Sequence, residues 1–197
     1  GNVPGGDLDF RAAWCPRRAF ASYYHAMDHR ALWAPWRLAY LQESEDAKRL
    51  ASDVAPGMTF FSTYWSAPEQ DRDNLVVHRD AYGMVLLNRY PYANGHLLVA
   101  LGNGKPTLLD YTADERAAFW ALVEHAASLM QQALDPDGIN YGINQGEAAG
   151  AGVPTHLHAH LVPRWHGDTN AMTVVGGTRV MPATLESVWE MYASLTS

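Results

Sequence analysis

The run His156-Leu157-His158-Ala159-His160-Leu161-Val162 alternates imidazole with apolar side chains, and an extended strand turns that alternation into two chemically different faces. At about 3.3 Å per residue, neighbouring histidines stand roughly 6.5–7 Å apart at Cα on one face. Leu157, Ala159 and Leu161 point the other way, toward a core. A single histidine here would be read as a satisfied or solvated side chain. Three in strict alternation concentrate polar, titratable groups that packing alone does not call for. Two chemistries use imidazoles placed this way. In one, two or three of them bind zinc, although the nearest acidic residues, Glu147 and Asp168, lie outside the strand. In the other, one neutral imidazole attacks an electrophilic phosphorus while its neighbours orient it and bind oxygens.

The rest of the chain predicts the frame for that strand. Leu75–His78, Gly83–Leu87, His96–Leu101 and Ile139–Asn144 are further β-prone runs, the second and third separated by the turn-rich Asn88-Arg89-Tyr90-Pro91-Tyr92-Ala93-Asn94-Gly95 and expected to pair antiparallel. Thr112-Ala113-Asp114-Glu115 is a capping box opening a helix whose apolar positions are Phe119, Leu122, Val123, Ala126, Met130 and Ala133, with Asp135-Pro136-Asp137-Gly138 as its stop. A last helix is predicted from about Ala183 to Leu195. The fold class is therefore α+β: a mostly antiparallel five-stranded sheet, one long helix and a C-terminal helix. Residues 1–57, with Trp33, Trp36 and a short helix expected near 44–53, are read as an extension packing on a core domain of residues 58–197.

Composition narrows the function. A net charge of -7 leaves no basic footprint for long nucleic acid, whereas a few donors in a pocket still suffice for a small phosphate ligand. The single cysteine, Cys15, excludes an internal disulfide and any zinc site built on a cysteine pair. No apolar stretch approaches the ~20 residues that span a bilayer, and a cytoplasmic, non-membrane protein is expected.

At this point the motifs resemble a family. The histidine run is similar in full to the signature of the histidine triad (HIT) superfamily. Leu86 to Val99, with Asn88, Pro91, Gly95 and His96, is similar to that family's strand–turn–strand, and Asn144-Gln145-Gly146 to its polar segment ahead of the triad. The flanks Leu32–Arg37 and Pro163–Asn170 resemble bacterial members of the diadenosine-polyphosphate branch. The resemblance implies a HIT-like fold and nucleotide phosphoanhydride chemistry through a covalent nucleotidyl-histidine. His158 would be the nucleophile, and His156 and His160 would orient it and contact phosphate oxygens. Asn88 would hold the ribose, Gln145 with Asn144 would lie near the α-phosphate, and His96 would support the site. The loop 146–152, with Gly150 and Gly152, is expected to leave backbone amides free for phosphate.

The implied substrate is a dinucleoside polyphosphate such as diadenosine tetraphosphate, split by hydrolysis or nucleotidyl transfer. Phosphorolysis with inorganic phosphate as acceptor, or nucleotide binding with little turnover, are the alternatives. No cofactor is required, although Mg²⁺ can accompany the polyphosphate, and a homodimer is implied. One departure stands out. Many bacterial relatives carry a Cys-x-x-Cys and a downstream histidine that form a structural zinc site. Thr59-Phe60-Phe61-Ser62 and Gly102-Asn103-Gly104-Lys105 stand at those places here, so no structural zinc is expected. Gly152 is a second departure, since some hydrolases of the family have a polar side chain there for the leaving phosphate.

Overall fold

The computed structural model describes residues 58–169 and 181–196; the expected extension and its short helix lie outside them. The described chain begins with a short helix, α1 (Phe60–Trp65), followed by β1 (Val76–Arg79), β2 (Gly83–Leu87) and β3 (Leu97–Leu101). Next come the long helix α2 (Ala113–Leu134), β4 (Gly138–Ile143), β5 (His158–Arg164) and the last helix α3 (Leu185–Ala193). The strands form one sheet in the order β1-β2-β3-β5-β4, antiparallel at every step. The expected α+β architecture is the one observed.

α2 starts where the capping box places it. Thr112 accepts from the Glu115 amide, and the Glu115 side chain returns to the Thr112 amide. It stops where Asp135 turns left-handed, at φ 44° and ψ 56°, a conformation that a short polar side chain tolerates. Its buried stripe of Phe119, Leu122, Val123, Ala126, Leu129 and Met130 lies on β2, β3 and β5. There it meets Val85, Leu87, Leu97, Val99, Leu101, Leu157, Ala159 and Leu161, the face assigned to the core by the alternation. α3 closes the same core with Val188 and Tyr192.

The opposite sheet face is buried as well, which the strand-and-turn reading of the chain from residue 58 onward does not provide for. Residues 60–65 are helical because Thr59 caps them, its side chain accepting from the Ser62 amide, and Phe61 drops from that helix onto Val76, Met84, Leu86, Leu98 and Ala100. Complete burial of a phenylalanine contributes roughly 1.5–3 kcal/mol. Arg79 fastens the far end of α1, its Nη1 donating to the Trp65 carbonyl at 3.1 Å. β2 and β3 are consequently buried on both sides along their whole length.

The turn between β2 and β3 is locked from below. Gly95 sits at φ +85°, and a Cβ there would fall 2.2 Å from Leu134 Cδ1. Its carbonyl accepts from the hydroxyl of fully buried Tyr192 at 2.9 Å. Tyr192→Phe leaves that carbonyl without its donor. The expected loss is about 1–3 kcal/mol, read as a lower denaturant midpoint at unchanged slope.

Candidate active site

The strand that carries the histidines begins two residues later than the alternation suggests. Pairing of β5 with β3 stops at Ala100↔His158. Beyond it the Leu157 amide turns to the Lys105 carbonyl at 2.8 Å, and Leu101 gives its carbonyl to the ring of His156, 2.7 Å from Nε2. His156 therefore sits at a frayed strand end, while His158 and His160 belong to the sheet.

Hydrogen bonds determine which nitrogen of each ring carries the proton. A carbonyl only accepts, so His156 holds its proton on Nε2. Its Nδ1, 2.9 Å from Thr59 Oγ1, is then the acceptor of that hydroxyl. His158 Nδ1 lies 2.9 Å from the His156 carbonyl and must donate to it, which leaves the lone pair on Nε2. A second chain runs through the β2–β3 turn. The Tyr92 amide donates to His96 Nδ1 at 3.1 Å, so His96 carries its proton on Nε2 and donates it to His160 Nδ1 at 3.0 Å. Neutral His160 is thereby left with a donor at Nε2. The His158 and His160 rings lie 4.9 Å apart between centroids. Phe61 stands 4.9 Å from both His156 and His158, and Tyr92 stacks on His160 at 5.7 Å.

The other expected residues divide. Asn88 lies in the His160 chain, its Nδ2 3.3 Å from His96 Nδ1 and its Oδ1 accepting from the Tyr90 amide, so its side chain braces the turn. Gln145 and Asn144 follow β4 where Ile143 pairs with Ala159, next to the triad strand. Gln145 Oε1 accepts from the Leu108 amide at 3.0 Å, and Asn144 Nδ2 reaches only to the Gly150 carbonyl at 3.4 Å.

His156, expected at phosphate oxygens, is 1% exposed here and hydrogen-bonds within the protein at both ring nitrogens. In the glycine-rich loop, expected to offer amides to phosphate, those of Ala149, Gly150 and Ala151 bond to the carbonyls of Gly146 and Glu147, because the segment closes on itself as a 3₁₀ turn. Gly152 is simply exposed. The residues not anticipated are Thr59, Phe61 and Tyr92. Only the Thr-x-x-Ser spacing at the place of the missing thiols pointed toward the first of them.

Burial lowers the proton affinity of all three triad imidazoles. It holds His160 at about 4, helped by the neighbouring His158, and pulls His156 and His158 below their ordinary value. All three are neutral at physiological pH.

The sequence profile of the HIT domain matches residues 69–167. The chain is 35% identical over 164 residues to an AP-4-A phosphorylase of Mycobacterium tuberculosis, covering 83% of this chain and 82% of that one. This protein belongs to the HIT family. It is also 28% identical over 103 residues to a bis(5'-adenosyl)-triphosphatase of Dictyostelium discoideum, covering 52% of this chain and 68% of the relative. Among solved structures, it superposes on a hypothetical histidine triad nucleotide-binding protein from Sulfolobus tokodaii strain7 with TM-score 0.55 at 25% identity, over 67% of this chain and 89% of that one. A Zn-bound histidine triad family protein from Mycobacterium smegmatis gives 0.54 at 25% identity, over 67% and 90%.

Beside His156 Nδ1 stand the Thr59 hydroxyl, itself 3.1 Å from that of Ser62, and the bare backbone of Gly104, with no thiolate there among the described residues, and the Nδ1 lone pair already accepts from Thr59.

The lowered imidazoles have a consequence for stability. Unfolded histidines take up protons near 6.5, whereas the folded triad does so only further down, His160 at about 4. Between those values the unfolded chain binds more protons, so stability is full above about 6.5 and declines as the pH falls toward 4. Denaturant titrations across that range should show the decline, and His160→Asn should make it shallower.

Proposed function

We propose that this HIT protein breaks a phosphoanhydride of a dinucleoside polyphosphate through a nucleotidyl intermediate on His158. The observation that carries the reading is the 2.9 Å hydrogen bond from His158 Nδ1 to the His156 carbonyl. It presents the Nε2 lone pair for attack and holds the Nδ1 proton in place as the ring acquires positive charge. Nε2 bonds to the α-phosphorus, and the bond from that phosphorus to the bridging oxygen breaks with its electron pair. His160, its ring 4.9 Å from that of His158, presents Nε2–H to the phosphate oxygens that gather charge. An acceptor oxygen then attacks the same phosphorus, the P–N bond breaks, and neutral His158 returns. Asn88 and Gln145 are the polar groups assigned to ribose and α-phosphate. Each step uses imidazole and backbone groups, and Mg²⁺ accompanying the polyphosphate would belong to the substrate.

Water as acceptor makes the enzyme a hydrolase, and inorganic phosphate makes it a phosphorylase. The second reading is favoured by the M. tuberculosis relative, named a phosphorylase and matched over 82% of its length. The experiment is incubation with diadenosine tetraphosphate with and without inorganic phosphate, followed by product identification. ADP formed only with added phosphate establishes phosphorolysis, and AMP formed without it establishes hydrolysis. His158→Ala should abolish turnover while nucleotide still binds, and His160→Ala should slow it by roughly 10²–10⁴-fold. Native turnover in His158→Ala would remove the mechanism.

We assign the enzyme to the cytoplasm as a homodimer. The dimer is supported by the outer edge of β4, which no other strand among the described residues pairs with and where Tyr141 stays 57% exposed. Light scattering of the purified protein should give twice the chain mass.

A further inference from the structure

Beneath the triad, positions 59 and 104 converge on one atom, and Ser62 backs the first of them. Thr59 Oγ1 is 2.9 Å from His156 Nδ1, and Ser62 Oγ is 3.1 Å from Thr59 Oγ1. A Cβ at Gly104 would fall 2.2 Å from that same Nδ1. Donor roles follow without ambiguity. Thr59 has one hydroxyl proton and gives it to His156, because Nε2–H of His156 is committed to the Leu101 carbonyl. Thr59 Oγ1 in turn accepts from the Ser62 amide at 3.2 Å and from the Ser62 hydroxyl. His156 is thus clamped at both ring nitrogens. Its backbone carbonyl is what hydrogen-bonds His158.

We infer that Thr59 is a positioning residue for the reaction: its hydroxyl locks the His156 ring, and through it the carbonyl that sets the tautomer and direction of His158. The hydroxyl pair with Gly104 occupies the place of a metal clamp and works by hydrogen bonding alone. The inference rests on His158 being the nucleophile, as proposed above. It says nothing new about the acceptor or the substrate.

Thr59→Val keeps the shape and removes the donor. The expected result is a kcat lowered about ten- to a hundredfold with KM within about twofold, because the nucleophile is misaligned while the substrate contacts stay. Thr59→Ser restores the donor and should return kcat to within about threefold of native, which loss of local packing would not allow. A native kcat in Thr59→Val, or a Thr59→Ser variant as slow as Thr59→Val, overturns the inference.

Thr59 also caps α1, so a measurement on the unaltered protein stands beside the variants. Long-range ¹H–¹⁵N spectra of the imidazoles should show His156 only as the Nε2–H tautomer and His158 only as Nδ1–H. His156 protonated at Nδ1, or one zinc per chain bound there after incubation with zinc alone, overturns the clamp. These spectra need no substrate. Failure of the nucleotide reading would therefore show in product analysis with the spectra as expected, and failure of the clamp would show in the spectra themselves.

Discussion

The hydrogen bond from His158 Nδ1 to the His156 carbonyl ties the chemistry of this protein to its fold. A strand carbonyl normally belongs to a ladder. This one is available because β5 pairs with β3 only from His158 onward, the preceding residues having left the sheet. The released ladder groups find other partners: the Leu101 carbonyl takes the His156 ring, and the Leu157 amide takes the Lys105 carbonyl. The strand end becomes a device for choosing a tautomer. Everything else at the site keeps that device dry and aligned, including Phe61 against two of its rings and the Tyr92–His96–His160 chain on its other side.

Dryness has a definite chemical effect. Water around an imidazole would favour the charged form, which has no lone pair for phosphorus. Burial reverses the balance and keeps His158 and His160 neutral, the first as a lone-pair donor and the second as a hydrogen-bond donor. The same burial makes the triad a liability for stability in acid. Function and stability draw on one desolvation, so a change that opens the second sheet face acts on both.

Much of this was legible in the sequence because it is local and periodic. The capping box Thr112–Glu115, the apolar stripe of α2 and the alternation of β5 each depend on residues a few positions apart; the structure has the first two where the pattern puts them and the third from His158 onward. The triad itself was legible for the same reason. What escaped was contact across distance. Thr59 reads as a loop residue, and nothing near it in the chain announces His156, 97 positions away. Phe61 lies in a stretch too short to show a helical period, so the cover of the second sheet face stayed hidden. In the loop 146–152 the small residues that suggest open amides also let the chain fold back, so that the amides of Ala149, Gly150 and Ala151 bond within the loop.

Positions 59, 62 and 104 show why a departure from a family pattern is better read as a set than one residue at a time. Taken singly, a threonine, a serine and a glycine are losses of metal ligands. Taken together they are mutually dependent. The His156 ring fills the volume that a side chain at 104 would need, since even a Cβ would lie 2.2 Å from Nδ1. With that volume filled, Nδ1 is left facing a space where only a small donor fits, and a capped helix start supplies one in the Thr59 hydroxyl. Restoring a bulky ligand at 104 alone would push the ring away from Thr59 and Leu101 together. Restoring thiols alone would gather two sulfurs and one nitrogen, one ligand short of a tetrahedral set. The three positions therefore form one packed unit around Nδ1, and each constrains what the other two can be.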